Sequence, residues 1–135
     1  MTTDLAYLAG LLDGEGTITL ERSSNPRAFR APLVSISSTD RELVEAALSI
    51  AGAGWIQVKR RAAQAHWKQG YEYRVKNAAA IELLGKLRPF MRCPAKVRRA
   101  DMLLCDYALL TRRNGRYTDQ ERHSKLAFEA AFLAT

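Results

Sequence analysis

The sequence predicts an α+β fold with the element order helix, strand, strand, helix, strand, strand, helix, followed by extra C-terminal helices. Two observations predict it. Apolar residues recur at helical spacing in three stretches and switch to strict alternation in the pairs of stretches between them. Cap and turn residues stand at the switches. With no linker and no low-complexity tract, residues 1–135 read as one domain, long enough for a single core.

The first helix is expected to start near Leu5, with Thr3 or Asp4 supplying the N-cap oxygen. Leu5, Leu8 and Leu12 form its core-facing stripe, and Ala6, Gly10 and Asp13 lie on another face. Gly14 and Gly16 are expected to let the chain turn out of the helix into a strand. From Thr17 to Ser23, Ile18 and Leu20 face inward while Thr17, Thr19 and Glu21 face outward. Ser23-Ser24-Asn25-Pro26 is turn chemistry. Phe29 to Ser38 resumes extended, with Val34 and Ile36 against the core and Ser35 and Ser37 outward. Pro32 lacks an amide donor, which predicts an edge position or a bulge.

Thr39 or Asp40 caps a second helix through Leu43, Val44, Ala47, Leu48 and Ile50, ended by the Gly52 region. A second strand pair follows. Trp55 to Arg61 places Ile56 and Val58 inward and Trp55, Gln57, Lys59 and Arg61 outward; Gly70 to Lys76 places Glu72, Arg74 and Lys76 outward. Asn77 is read as the cap of a third helix through Leu83, Leu84 and Leu87, stopped by Pro89. A fourth helix runs from about Ala95 to Thr111. The last is capped by Thr118 or Asp119, with Phe128, Phe132 and Leu133 as its apolar side.

Composition narrows the function. No apolar run approaches the ~20 residues of a membrane span, and the N-terminus lacks a secretory apolar region. Cys93 and Cys105 lack metal-type spacing and read as free thiols of a reducing compartment, either the cytoplasm or an organelle matrix. The net charge of +7 suits a polyanionic partner. Arginine outnumbers lysine, and its fork matches phosphate and guanine edges. Phosphate contacts are expected from Arg22, Arg27, Arg30, Arg60, Arg98 and Arg99, any one of which is alternatively a plain surface residue. His66 and His123 are each alone in their segments and are not read as metal ligands.

The stretch Leu8-Ala9-Gly10-Leu11-Leu12-Asp13-Gly14-Glu15-Gly16 holds the unusual chemistry. Two carboxylates at a helix C-terminus face the negative end of the dipole, an unfavourable placement. Either both point into water, or each has a partner: Asp13 accepting from free N–H groups at another helix's start, and Glu15 holding a divalent cation. This nonapeptide resembles the signature of the LAGLIDADG homing endonucleases, with Glu15 where the usual residue is Asp. The helix-strand-strand-helix order resembles that family's fold over nearly the whole chain.

The resemblance implies a site-specific double-strand DNA endonuclease that is Mg²⁺-dependent and leaves short 3′ overhangs. Mn²⁺ would substitute, and Ca²⁺ would support binding without cleavage. A chain with one motif implies a homodimer on a long near-palindromic target, with motif helices crossing through Ala6, Ala9 and Gly10 and Asp13 capping the partner helix. Glu15 and the Gly14 carbonyl would hold the metal. Thr17, Thr19, Glu21, Ser35, Ser37, Trp55, Gln57, Lys59, Arg61, Glu72, Arg74 and Lys76 would form a saddle in the major groove, Trp55 alternatively covering a neighbouring strand. Lys96, or Arg98 in its place, would be the basic residue near the attacking water. Ser38 would position that water or, equally, cap the second helix. The competing reading is a non-cleaving nucleic-acid-binding relative, an intron maturase or transcription regulator; an acid at position 15 favours the enzyme.

Overall fold

The computed structural model describes residues 2–59, 68–112 and 115–135. Helix α1 (Thr2–Glu15) leads into β1 (Gly16–Glu21) and β2 (Ala31–Ser38); α2 (Arg41–Ala51) is followed by β3 (Trp55–Val58), β4 (Tyr71–Lys76) and α3 (Asn77–Leu87). After a 3₁₀ turn (Arg88–Phe90) come α4 (Pro94–Asp101), a π-type stretch (Met102–Tyr107), a last α turn (Ala108–Leu110) and the C-terminal helix (Asp119–Leu133). This is a mixed helix and antiparallel-sheet fold, as the sequence predicts. The four strands are ordered β1-β2-β4-β3, all pairs antiparallel.

Register explains the two faces. Ile18, Val34 and Val75 lie side by side, as do Ile36, Tyr73 and Ile56, and this face packs under Leu8, Leu12, Val44, Ala47, Ala80 and Leu84. Tyr73 is fully buried; its hydroxyl donates to the Ala53 carbonyl at 2.6 Å, and burial pushes the phenol up to about 12. The opposite face carries the rows Thr17–Ser35–Arg74–Trp55 and Ser37–Glu72–Gln57.

Several local expectations change. Helix α1 begins at Thr2, so Thr3 and Asp4 are helical rather than capping. β2 is a central strand, not an edge. Pro32 is tolerated because pairing with β4 starts only at Leu33, leaving no β4 carbonyl opposite the missing donor. Val58 ends β3 on the inner face but is 55% exposed, beyond the cover of the helices. Asp40 is the α2 cap, accepting from the Glu42 amide at 3.0 Å, and Gly52 closes the helix at φ 74°. Asn77 is the first residue of α3, at φ 59°, and makes no cap; the cap position is Lys76, without a side-chain bond.

The predicted fourth helix opens into the π stretch instead of staying α-helical to Thr111. Thr118 and Glu121 form a capping box for the C-terminal helix, which buries Phe128 and Phe132 but leaves Leu133 exposed. Arg99 Nη1 donates to the Ile18 carbonyl at 2.7 Å, and its Nε donates to Thr135 Oγ1 at 2.9 Å. The C-terminal region therefore covers the outer edge of β1, an edge that would otherwise present unpaired backbone. None of the described helices is long and apolar enough to cross a membrane.

Candidate functional site

The site forms where α1 hands over to the sheet. Leu8, Ala9 and Leu12 are fully buried, while Ala6, Gly10 and Gly14 lie exposed at four-residue spacing. A methyl added at Gly10 or Gly14 would meet nothing within 4 Å. The exposed stripe is thus open and nearly flat, and it includes Ala6 and Gly10 as expected but not Ala9. At 0% exposure Ala9 belongs to its own core and cannot meet a partner.

The glycines that follow have a different reason from the one expected. Neither Gly14 nor Gly16 takes a positive φ. Gly14 completes the open stripe within the helix. Gly16 is required because a Cβ there would approach the Leu12 carbonyl oxygen to 2.8 Å.

The two acids part company, as the dipole argument requires. Asp13 Oδ2 accepts from the Arg92 amide at 2.8 Å, so half of its capping capacity is used within its own chain. Its other oxygen, Oδ1, is buried without a hydrogen-bond partner among the described residues. Lys96 Nζ donates to the Leu12 and Asp13 carbonyls at 2.8 and 2.6 Å. This places a cation on the negative end of α1 and answers the unfavourable carboxylates. Lys96, expected beside an attacking water, is engaged as the C-terminal cap of α1. Arg98, on α4 with Lys96, is exposed and lines a cleft of about 530 Å³ with Gly16, Thr17, Lys96 and Arg99.

Glu15 ends α1 exposed and forms no ion pair among the described residues. It lines a cleft of about 560 Å³ with Ser37, Ser38, Thr39, Leu43, Lys59 and Gly70. Ser38 therefore shares the cleft with Glu15 as expected. Its hydroxyl accepts from the Asp40 amide at 3.0 Å, the helix-entry role that was the alternative. Lys59 is the cation that the tertiary structure brings to this cleft. The sequence placed it among the base readers, because nothing in the local pattern shows that the residue after β3 lines the same cleft as Glu15.

The outward sheet face is polar, as expected, but it is internally paired. Arg74 donates to Glu72 Oε1 at 2.5 Å and to Glu21 Oε1 at 2.6 Å, and Ser37 Oγ donates to Glu72 Oε2 at 3.2 Å. Lys76 Nζ lies 2.7 Å from Glu21 Oε2, an ion pair whose angle leaves that oxygen without a well-formed hydrogen bond. The Lys76 contact holds the Glu21 carboxyl below the usual range; burial opposes it and Arg74 reinforces it. Glu72 and then Glu21 raise the Arg74 guanidinium. Arg74 is therefore braced between two carboxylates rather than extended into solvent.

Ser35, expected to read bases, is only 7% exposed between Thr17 and Arg74. Thr17, Trp55, Gln57 and Lys59 are exposed, and Thr19 partly so. Arg60, Arg61 and His66 lie outside the described residues. Of the expected phosphate contacts, Arg22, Arg27 and Arg98 are exposed, whereas Arg99 is engaged by β1 and the C-terminus. Among the described residues no three His, Cys, Asp or Glu side chains gather into a metal cluster. One chain thus brings a single free carboxylate to the cleft, and a hard divalent cation would need further oxygen ligands from outside it.

No curated protein sequence matches the chain. Solved structures do. The homing endonuclease I-TnaI is similar with a TM-score of 0.67 at 17% identity, covering 94% of this chain and 86% of that one. The homing endonuclease I-CvuI, in complex with its target in the presence of calcium, has a TM-score of 0.57 at 17% identity, covering 94% and 95%. I-SmaMI bound to cleaved DNA has a TM-score of 0.66 at 19% identity, covering 94% of this chain but 43% of that one. At such identities the likeness is one of fold, the homing-endonuclease fold. The sequence carries the assignment further: residues 2–85 match the model of the LAGLIDADG-like domain, so an exposed small-residue helix ending in a free carboxylate at the rim of a polar sheet belongs to a member of the LAGLIDADG family.

Proposed function

We propose that this chain acts as a homodimeric, site-specific endonuclease on a long near-palindromic DNA duplex, hydrolysing both strands with Mg²⁺ to leave short 3′ overhangs. The observation that carries the proposal is Glu15. It is an exposed carboxylate on the last residue of α1, where the open Ala6–Gly10–Gly14 stripe meets the polar sheet face. The open Ala6–Gly10–Gly14 stripe supports the dimer, since a second helix can approach it closely. Two saddles side by side would cover roughly two turns of duplex at ~34 Å per turn, and two-fold symmetry presents the same residues to each half-site.

The donor set fits a magnesium ion: a carboxylate from Glu15 and the adjacent Gly14 carbonyl are hard oxygen ligands, and the partner's helix end and phosphate oxygens would complete the shell. Bound there, the ion would lower the pKa of a water for in-line attack and stabilise the departing 3′ oxygen. The protein's part is positional. Lys96 fixes the end of α1 and with it the aim of Glu15. Ser38 and Lys59 line the same cleft, where a hydroxyl and an ammonium can orient water and phosphate. Gln57, Thr17 and Thr19, on the outward sheet face, offer donors and acceptors to base edges, Gln for adenine, while Arg74 braces the carboxylates beside them.

Selection from a randomised duplex library, run with Mg²⁺ and again with Ca²⁺, tests the proposal. The expected result is one near-palindromic site that is cut with Mg²⁺ and only bound with Ca²⁺. Glu15→Gln is expected to abolish cutting while leaving affinity within a few-fold of the parent. A site bound equally in both ions and never cut would reassign the chain to a non-cleaving binder.

A further inference from the structure

The loop between β1 and β2, residues 22–30, begins where β1 ends, at the far end of the strand from Glu15. At ~3.3 Å per residue the six residues of β1 carry the chain about 20 Å away from the α1 terminus. Along a duplex that is roughly six base pairs, at ~3.4 Å each. The loop therefore lies over the outermost part of whatever half-site the sheet covers, and Arg22 and Arg27 are exposed on it.

Its own bonds are few. Asn25 organises one turn, its Oδ1 accepting from the Arg27 amide at 3.0 Å and its carbonyl from the Ala28 amide at 3.1 Å. The loop's shape is held instead by the C-terminal helix, which lies beyond the residues that match the family model. Glu129, almost fully buried, accepts from the Arg30 amide at 3.2 Å. The Arg122 guanidinium stands 5.2 Å over the Phe29 ring, and its Nη2 reaches the Arg27 carbonyl at 3.5 Å.

Lys125 completes the grip. Its side chain is buried at 3% exposure, and among the described residues it forms no ion pair with a carboxylate. Its ammonium donates to Tyr117 Oη at 2.9 Å and Thr111 Oγ1 at 3.2 Å. It faces the rings of Phe29, Tyr107 and Tyr117 at 4.6, 4.9 and 5.0 Å. Phe29 and Tyr117 also meet edge-on, with centroids 4.8 Å apart. A buried ammonium without a counter-charge is tolerated only while its donors are bonded and aromatic faces surround it. The Phe29 ring is one wall of that enclosure, so the loop cannot leave without wetting Lys125.

We propose that Phe29, held between Lys125 and Arg122, is a positioning residue that presets the β1–β2 loop to read the outermost base pairs of each half-site. A loop ordered before it meets the duplex loses less entropy on binding and presents its side chains in one geometry, which gives preference as well as affinity. This rests on the DNA reading proposed above.

The test compares the intact protein with Phe29→Ala, Lys125→Met and the conservative Phe29→Tyr, in two measurements. Hydrogen exchange of the free protein is expected to quicken about tenfold in residues 22–30, with β2 and β4 unchanged, in the first two variants. Library selection is expected to show lost base preference at the outermost positions, retained preference near the centre, and affinity down roughly fivefold. Phe29→Tyr should restore both. If the buried substitutions fold poorly, Arg122→Ala, on the exposed side of the ring, carries the same expectations. Variants that exchange faster but select the same outer bases overturn the inference alone. Parent protein that selects no duplex overturns the DNA reading and the inference with it.

Discussion

Replacing Lys96 by Met separates two roles that the sequence could not. The side chain is kept in length, and what is lost is an ammonium bonded to the Leu12 and Asp13 carbonyls at 2.8 and 2.6 Å. A hydrogen bond from a charged donor is worth about 1.5–3 kcal/mol, but carbonyls at a helix end can be re-solvated in part. Counting one such bond, and adding ~0.5 kcal/mol for the lost cation at the dipole's negative end, gives about 2–3.5 kcal/mol. For a chain of 135 residues that corresponds to a fall in Tm of roughly 6–15 °C. Thermal unfolding followed by circular dichroism measures it, and Lys96→Arg, which can reach both carbonyls, should recover most of the loss. If Lys96→Met melts within about 2 °C of the parent while cleavage disappears, the residue acts on the reaction and not on the helix. That result would refute the capping role.

The remaining predictions bear on the interface, the sheet and the core. Gly10→Leu places a bulky side chain on an open helix face where an added Cβ meets nothing within 4 Å, so the monomer should stay folded while the proposed dimer, measured by sedimentation velocity in the parent, is lost; a dimer equal to the parent's would exclude crossing of α1 at this position. Glu21, held below its ordinary range by Lys76 and Arg74, stabilises the fold above the unfolded carboxylate value of about 4.3 and loses that contribution as pH falls through the lower folded value. Urea midpoints of Glu21→Gln should accordingly lie below the parent near neutrality and converge with it in acid. Tyr73→Phe removes the buried bond to the Ala53 carbonyl and should cost about 1–2 kcal/mol in urea unfolding; equal stability would show that the carbonyl finds water.

Much of the fold was legible because its signals are local. Alternation in Thr17–Glu21 and Tyr71–Lys76, and the heptad-like recurrence of Leu8 and Leu12, follow from the pitch of strand and helix, and the observed burial repeats them. Pro32 misled because an edge is a property of the sheet. The strand is central, but the proline stands one residue outside the β4 pairing. The Lys96 contacts were hidden for a similar reason: its partners lie 83 and 84 residues earlier, at a helix end that no spacing rule connects to it.

By itself the sequence determined that this chain has a helix ending in two carboxylates and a sheet with one polar face, and it pointed to the family to which the chain belongs. Periodicity and a nine-residue motif suffice for that, since both are written along the chain. Only the tertiary structure decided which motif residues are available. It buried Ala9, left Gly10 open, divided Asp13 between an internal and an unmet bond, and left Glu15 facing solvent. It also turned Arg74 from a free guanidinium into one braced by Glu21 and Glu72. The physical reason is common to all of these. Desolvation and pairing depend on which distant groups close around a side chain, and those neighbours exist only once the helices and the sheet have packed.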